Sequence, residues 1–186
     1  MIKMARFFLA ALFLFAMSFA GQGRAEPPSL EKLLHQRVDA LSSGAAPQVA
    51  GARLGAARVI PAFYRERGYR LAWEDQADVE SLIVITGRSY EQGLDPGDYH
   101  LPLVLELLRQ VRDAQVPNPE RQVELDLLLT DSLMRYVYHR YFGKVKPSDL
   151  DSDWNLSRRL DHDPLKMIAD IMSAGDMQQK IVEILG

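Results

Sequence analysis

Apolar residues recur three and four positions apart over most of the chain, which is the spacing of one face of an α-helix. The first such stretch follows Ser29, which fits an N-cap, and its apolar positions are Leu30, Leu33, Leu34, Val38 and Leu41. Residues 42–47 are rich in serine, glycine, alanine and proline, which break helices. The pattern therefore predicts one helix and a linker before residue 54.

Three more helical stretches are predicted before the longest one. They run, in order, through residues 54–68, 78–93 and 102–111. Gly68 and Gly93 end the first two, because glycine readily adopts the left-handed conformation found at helix C-termini. The apolar run 82–86 has strand propensity. Its pattern continues to Tyr90 without a turn signal, which favours a helix.

The longest predicted helix covers residues 120–142 and carries two apolar stripes. The stripes consist of Leu125, Leu129, Leu133, Val137 and Tyr141, and of Leu127, Met134 and Tyr138. A helix that is apolar on two sides is covered by neighbours on both, so we expect this one to be central. Two short helices, opened by Asp163 and by Asp176, follow a polar loop. The pattern predicts a single all-α domain of about six or seven helices.

Residues 1–25 have the features of a secretory signal peptide. Lys3 and Arg6 precede an apolar run of about 14 residues, shorter than the roughly 20 that span a bilayer. Small residues then predict cleavage between Ala25 and Glu26, with Ala20 as a second candidate and an uncleaved anchor as the alternative. The predicted layout is a signal peptide (1–25), an N-terminal helix and linker (26–53) and a helical domain (54–186). No stable transmembrane span is expected after cleavage.

Charge and composition exclude several classes of protein. Cleavage removes three of the 22 basic residues and none of the 25 acidic ones, so the net charge falls from −3 to −6. No basic surface of the kind that holds nucleic acid is expected. The chain has no cysteine, which excludes disulfides, zinc ribbons, iron–sulfur sites and cysteine nucleophiles on it.

The residues that could carry chemistry form no recognisable catalytic set. The acidic run 149–155 lacks the glycine and glutamate of a calcium loop, with Trp154 and Leu160 at those positions. The histidines lack the spacing of a helical metal site, and His139 is expected to be half-buried and hydrogen-bonded. We therefore predict no metal site and no cofactor.

Three carboxylates on the long helix leave one enzymatic reading open. Glu124, Asp126 and Asp131 could serve a hydrolase if two of them flanked a cleft. Asp131 interrupts an apolar face, and an ion pair with Arg135 four residues later explains it more simply. The tyrosines and tryptophans suit core packing, with a sugar- or peptide-binding platform as the alternative.

Four separated blocks of the sequence resemble the larger periplasmic L,D-transpeptidases. The first block resembles the family's FY-x-x-RGY-x-x-x-W motif and contains Phe63, Tyr64, Gly68, Tyr69 and Trp73. The second is similar to its GLDP-x-x-YH turn and contains Gly93, Leu94, Asp95, Pro96 and Tyr99. The third matches its long helix at Asp126, Asp131 and Tyr138. The last continues the match through Gly143, Pro147 and Trp154. The blocks cover roughly residues 54–160, in the family's order.

The resemblance implies a helical scaffold in the periplasm or cell envelope, with peptidoglycan and a catalytic L,D-transpeptidase domain, in cis in the family, as partners. In the family, a cysteine in a Ser-His-Gly-Cys context attacks a peptidoglycan stem peptide. This chain has no cysteine, so the resemblance implies no catalytic residue on it.

Three hypotheses follow. The first is a scaffold module from a truncated or split transpeptidase, with an exposed apolar patch for the missing domain. The second is a stand-alone exported module that binds peptidoglycan or a cell-wall enzyme. The third is the hydrolase.

Overall fold

The computed structural model describes residues 29–44, 48–144 and 163–185. These residues form seven α-helices, two 3₁₀ helices and one small β-hairpin, which confirms the all-α prediction. The helices are α1 (Leu30–Ser42), α2 (Ile60–Glu66), α3 (Gln76–Gly87), α4 (Leu101–Asp113), α5 (Pro119–Phe142), α6 (Pro164–Met172) and α7 (Met177–Leu185). The predicted signal peptide with Ala25 and Glu26, and the motif positions Pro147 and Trp154, lie outside the described residues.

Helix α5 is the centre of the domain, as its two apolar stripes predict. Helices α1, α2, α3, α4 and α7 all pack against it. Every residue from Leu125 to Met134 is buried, including the polar Asp126, Thr130, Asp131 and Ser132. A helix enclosed on all sides has no solvent face for polar residues, so each of these four side chains needs a partner inside the protein.

Side-chain caps begin several helices at the predicted positions. Ser29 accepts a hydrogen bond from the Lys32 N–H, and Asp163 accepts one from the Leu165 N–H. The Gln179 N–H donates to Asp176 at the start of α7. Each cap satisfies a backbone donor that has no partner within its own helix.

The predicted helix over residues 54–68 is wrong in its first part. Residues 54–59 form bends and turns, in which the Ala56 N–H donates to Asp131, and helix α2 begins only at Ile60, with Pro61 in its first turn. The predicted linker before residue 54 contains an antiparallel hairpin (residues 48–53), in which Gln48 pairs with Arg53 and Val49 with Ala52. Ala50 and Gly51 both have positive φ, at 47° and 81°, which closes its two-residue turn.

The predicted extent of α3 also needs correction. The helix ends at Gly87, and residues 89–92 form a separate 3₁₀ helix. Gly93 closes that 3₁₀ helix with a φ of 74° rather than capping α3 itself. Ser89 is fully buried and donates to the Leu94 carbonyl, which holds the tighter turn in place. Within the described residues, no helix is both long and apolar enough to cross a membrane.

Candidate functional site

Asp126 lies at the centre of a buried polar network between α5 and α2. The Tyr64 hydroxyl, on α2, donates to Asp126 Oδ1. Asp126 Oδ2 accepts the backbone N–H groups of Ala72 at 2.9 Å and of Trp73 at 3.0 Å. One carboxylate therefore fixes both α2 and the connection from α2 to α3 on the central helix.

Thr130, one turn later on α5, completes this network. Its hydroxyl oxygen accepts the Trp73 indole N–H at 3.0 Å and lies 2.7 Å from the Tyr64 hydroxyl. The Thr130 hydroxyl also lies 2.9 Å from the Asp126 carbonyl and donates to it. Sequence reasoning missed Thr130, and only its place one turn after Asp126 hinted at it. The motif residues Tyr64, Trp73 and Asp126 thus meet in one enclosed cluster.

Burial sets the titration of this cluster. It raises the pKa of Asp126 to about 6, against the opposing effect of hydrogen bonds from Tyr64, Ala72 and Trp73. Burial also raises the pKa of the Tyr64 hydroxyl, and the Asp126 charge raises it further. The phenol therefore keeps its proton and remains a donor to the carboxylate.

The raised pKa of Asp126 predicts a measurable pH dependence of stability. The folded state binds the proton of the Asp126 carboxyl more tightly than the unfolded state does. The stabilisation of the folded state by this proton is therefore full below pH 4 and is lost as pH rises through about 6. A shift of about two pKa units corresponds to about 3 kcal/mol. We expect the free energy of unfolding of the wild type to exceed that of Asp126→Asn by more at pH 4.5 than at pH 7. Urea unfolding at both pH values checks this, and a constant difference would contradict it.

Asp131 forms a second buried site, on the part of α5 that faces the hairpin and α4. Its side chain is fully buried; Oδ1 accepts the Ala56 N–H at 2.6 Å, and Oδ2 lies 2.9 Å from His100 Nε2. These two atoms form a hydrogen bond in the tautomer that carries the hydrogen on Nε2, because a carboxylate oxygen accepts. Arg135 Nη1 is 3.9 Å away, so the predicted ion pair is present but is not the closest contact. Sequence reasoning placed His100 in the second transpeptidase-like block but missed its contact with Asp131, which lies 31 residues away in the chain.

Tyr99 and His139 form a third contact with α5. The buried Tyr99 hydroxyl lies 3.0 Å from His139 Nδ1, and the Ser132 hydroxyl donates to the Tyr99 carbonyl at 2.7 Å. Burial, followed by the Arg135 charge, lowers the pKa of His139. His139 is thus half-buried and hydrogen-bonded, as predicted.

The remaining motif positions shape turns and the core. Gly68, Gly93 and Gly143 have positive φ values of 63°, 74° and 77°, a conformation that favours glycine. Tyr69 also has a positive φ, at 58°. Tyr69 stacks on His35 of α1, with ring centroids 3.9 Å apart. Phe63 and Leu94 are buried in the core. Asp95 and Pro96 begin the second 3₁₀ helix (Pro96–Tyr99), and Tyr138 is 45% exposed.

Tyr138 lies on a groove between the hairpin, α2 and the last turns of α5. The groove has a volume of about 1290 Å³, and α6 borders its far side. Apolar side chains, among them Leu54, Val59 and Met167, form much of its lining, together with four arginines. This groove and the enclosed clusters of Asp126 and Asp131 are therefore distinct features: the clusters hold the frame together, and the groove is open in the part of the chain that the structure describes.

The buried clusters have the geometry of structural sites. Asp126 and Asp131 are enclosed and accept backbone N–H groups, whereas a two-carboxylate hydrolase needs both groups free beside a cleft. Glu124 forms an ion pair with Arg121 at 2.7 Å. Across residues 29–44, 48–144 and 163–185, no three histidine or acidic side chains group closely enough to hold a metal ion.

Comparison with known families identifies this helical frame. A model of the Scaffold domain matches residues 58–184, about two thirds of the chain. The chain belongs to the Scaffold domain family. The Scaffold domain match contains α2 to α6, all of α7 except its last residue and the whole Asp126 cluster, in agreement with the resemblance to the scaffold region of L,D-transpeptidases. Searches of curated proteins and of solved structures find no match.

Proposed function

We propose that this chain is a non-catalytic scaffold module of an L,D-transpeptidase-like protein that acts in peptidoglycan cross-linking. The observation that carries the proposal is the Scaffold domain match over residues 58–184. The four transpeptidase-like sequence blocks support a role in peptidoglycan cross-linking. The predicted cleavage between Ala25 and Glu26 supports a periplasmic location. The attacking thiolate comes from a cysteine catalytic domain, since this chain has no cysteine.

The structure suits a module that holds another domain in place. The buried clusters of Asp126, Asp131 and Tyr99 attach three segments to one central helix: the connection after α2, the turn between the hairpin and α2, and the second 3₁₀ helix. Hydrogen bonds of buried side chains specify a single arrangement of the elements that they join. A partner domain bound to this frame therefore meets a fixed surface.

The exposed apolar residues of α3 and α7 offer a contact for that partner. Val84 is 49% exposed and Val182 is 56% exposed, and both line one shallow depression with Ile181. Exposed apolar residues that lie together are typical of interaction sites, whereas isolated ones are common on any surface. Val116, which is 76% exposed in the connection before α5, lies outside this depression and serves as a control.

The test is binding of the exported, purified chain to an L,D-transpeptidase catalytic domain, measured by calorimetry. We expect binding, and we expect the double variant Val84→Ser, Val182→Ser to raise Kd at least tenfold while Val116→Ser leaves it unchanged. We also expect no turnover of peptidoglycan fragments by the chain alone. No binding of any catalytic domain, or cross-linking by the isolated chain, would contradict the proposal.

A second candidate function is a stand-alone exported module that binds peptidoglycan in trans, and the arginine-lined groove favours it. The two candidates differ in their partner. Retention of the chain on isolated cell wall, without affinity for any catalytic domain, would support the second candidate over the first.

A further inference from the structure

The groove beside the hairpin has an unusual charge for an acidic protein. Its lining by described residues includes four arginines and His139, and it contains no aspartate or glutamate. The full chain has a net charge of −3. The groove therefore concentrates positive charge on a molecule that is negative as a whole, and such a site attracts anionic ligands.

Three of these arginines are free to bind a ligand. Arg53, Arg58 and Arg65 are exposed, and among the described residues none of them forms an ion pair. Arg135 differs, because its guanidinium lies near Asp131 and His100 at the base of the groove. Each free guanidinium presents a planar set of donors that matches a carboxylate.

Aromatic and aliphatic side chains lie beside the arginines. The Phe142 ring packs on Tyr138 and on Tyr141, with ring centroids 4.9 Å and 4.8 Å apart, and all three line the groove. Tyrosine presents an apolar ring and a polar hydroxyl, which suits ligands with both apolar and hydrogen-bonding faces. The site thus combines charge recognition with an amphipathic wall.

We propose that this groove binds peptidoglycan stem peptides through their free carboxylates. Arg53, Arg58 and Arg65 hold the carboxylates, and the adjoining sugar packs on Tyr138. Charge complementarity selects this occupant, because the stem peptide carries carboxylates and the described lining contains none. The inference rests on the peptidoglycan part of the proposed function and adds the site and the chemical group that is recognised.

The test measures binding of soluble peptidoglycan fragments, with stem peptides attached, to the exported full chain. We expect the triple variant Arg53→Gln, Arg58→Gln, Arg65→Gln to raise Kd at least tenfold. A control triple, Arg70→Gln, Arg109→Gln, Arg112→Gln, removes the same charge from exposed sites outside the groove and is expected to change Kd less than twofold. The unchanged chain is expected to bind fragments with amidated carboxylates as weakly as the Arg53, Arg58, Arg65 triple variant binds the native fragment. Added salt is expected to weaken binding of the native fragment to the unchanged chain.

Two results would overturn the inference. The first is no binding of the native fragment, and the second is an equal loss in both triple variants, which indicates non-specific charge attraction. The proposed scaffold function is judged separately, by affinity for the catalytic domain, which the groove variants are expected to retain.

Discussion

Asp126→Ala is expected to lower the free energy of unfolding by about 3 kcal/mol at pH 7. The Tyr64 hydroxyl keeps Thr130 Oγ1 as a partner, but the substitution leaves two buried donors without an acceptor, the backbone N–H groups of Ala72 and Trp73. Each costs about 1–3 kcal/mol. The variant is therefore destabilised.

Urea unfolding followed by circular dichroism measures this effect. Asp170→Ala is the matched control, because Asp170 lies in an exposed pair with Lys166 and its loss is expected to cost about 0.5 kcal/mol or less. The loss in Asp126→Ala is expected to be larger at pH 5 than at pH 7, since the protonated wild type is more stable. A change no larger than that of the control would show that Asp126 does not anchor the frame.

Asp131→Ala is expected to cost a similar amount, about 3 kcal/mol. The fully buried carboxylate accepts the Ala56 N–H and pairs with His100, and both groups lose their acceptor in the variant. Loss of the Ala56 contact also releases the turn between the hairpin and α2. Hydrogen exchange at the Ala56 amide is therefore expected to accelerate more than exchange in the middle of α5.

Arg135→Ala tests whether the main partner of Asp131 is Arg135, as the sequence spacing suggests, or His100 and Ala56, as the structure shows. The sequence spacing pairs Asp131 with Arg135, but the structure places His100 and Ala56 closer. Arg135→Ala is therefore expected to cost about 1 kcal/mol or less, because its distant contact is partly exposed. Equal losses in Arg135→Ala and Asp131→Ala would mean that the arginine pair is the main contact.

The central helix was predictable because its signal is long and periodic. Two apolar stripes over residues 120–142 require burial on both sides, and the structure places α5 at the centre. Glycines with positive φ, such as Gly68 and Gly93, also marked real turns. Both kinds of signal are local, since they depend only on nearby positions in the sequence.

The hairpin and the buried contacts were not predictable in the same way. Each hairpin strand is two residues long, too short to show a strand period. The contact of Asp131 with His100 joins residues 31 positions apart, and Ala56 contributes only its backbone. Aspartates on an apolar face signal that partners exist, but the tertiary packing decides which partners they are.

The most direct test of the central claim is the composition of the native complex that contains this chain. Cell-envelope extract is separated by size without denaturation, and the chain is detected with an antibody against residues 54–160. The proteins in the detected band are then identified by mass spectrometry. The scaffold account predicts that a cysteine L,D-transpeptidase catalytic domain is present in that band, on the same polypeptide or on a bound partner. A band that contains this chain without any transpeptidase domain would contradict it.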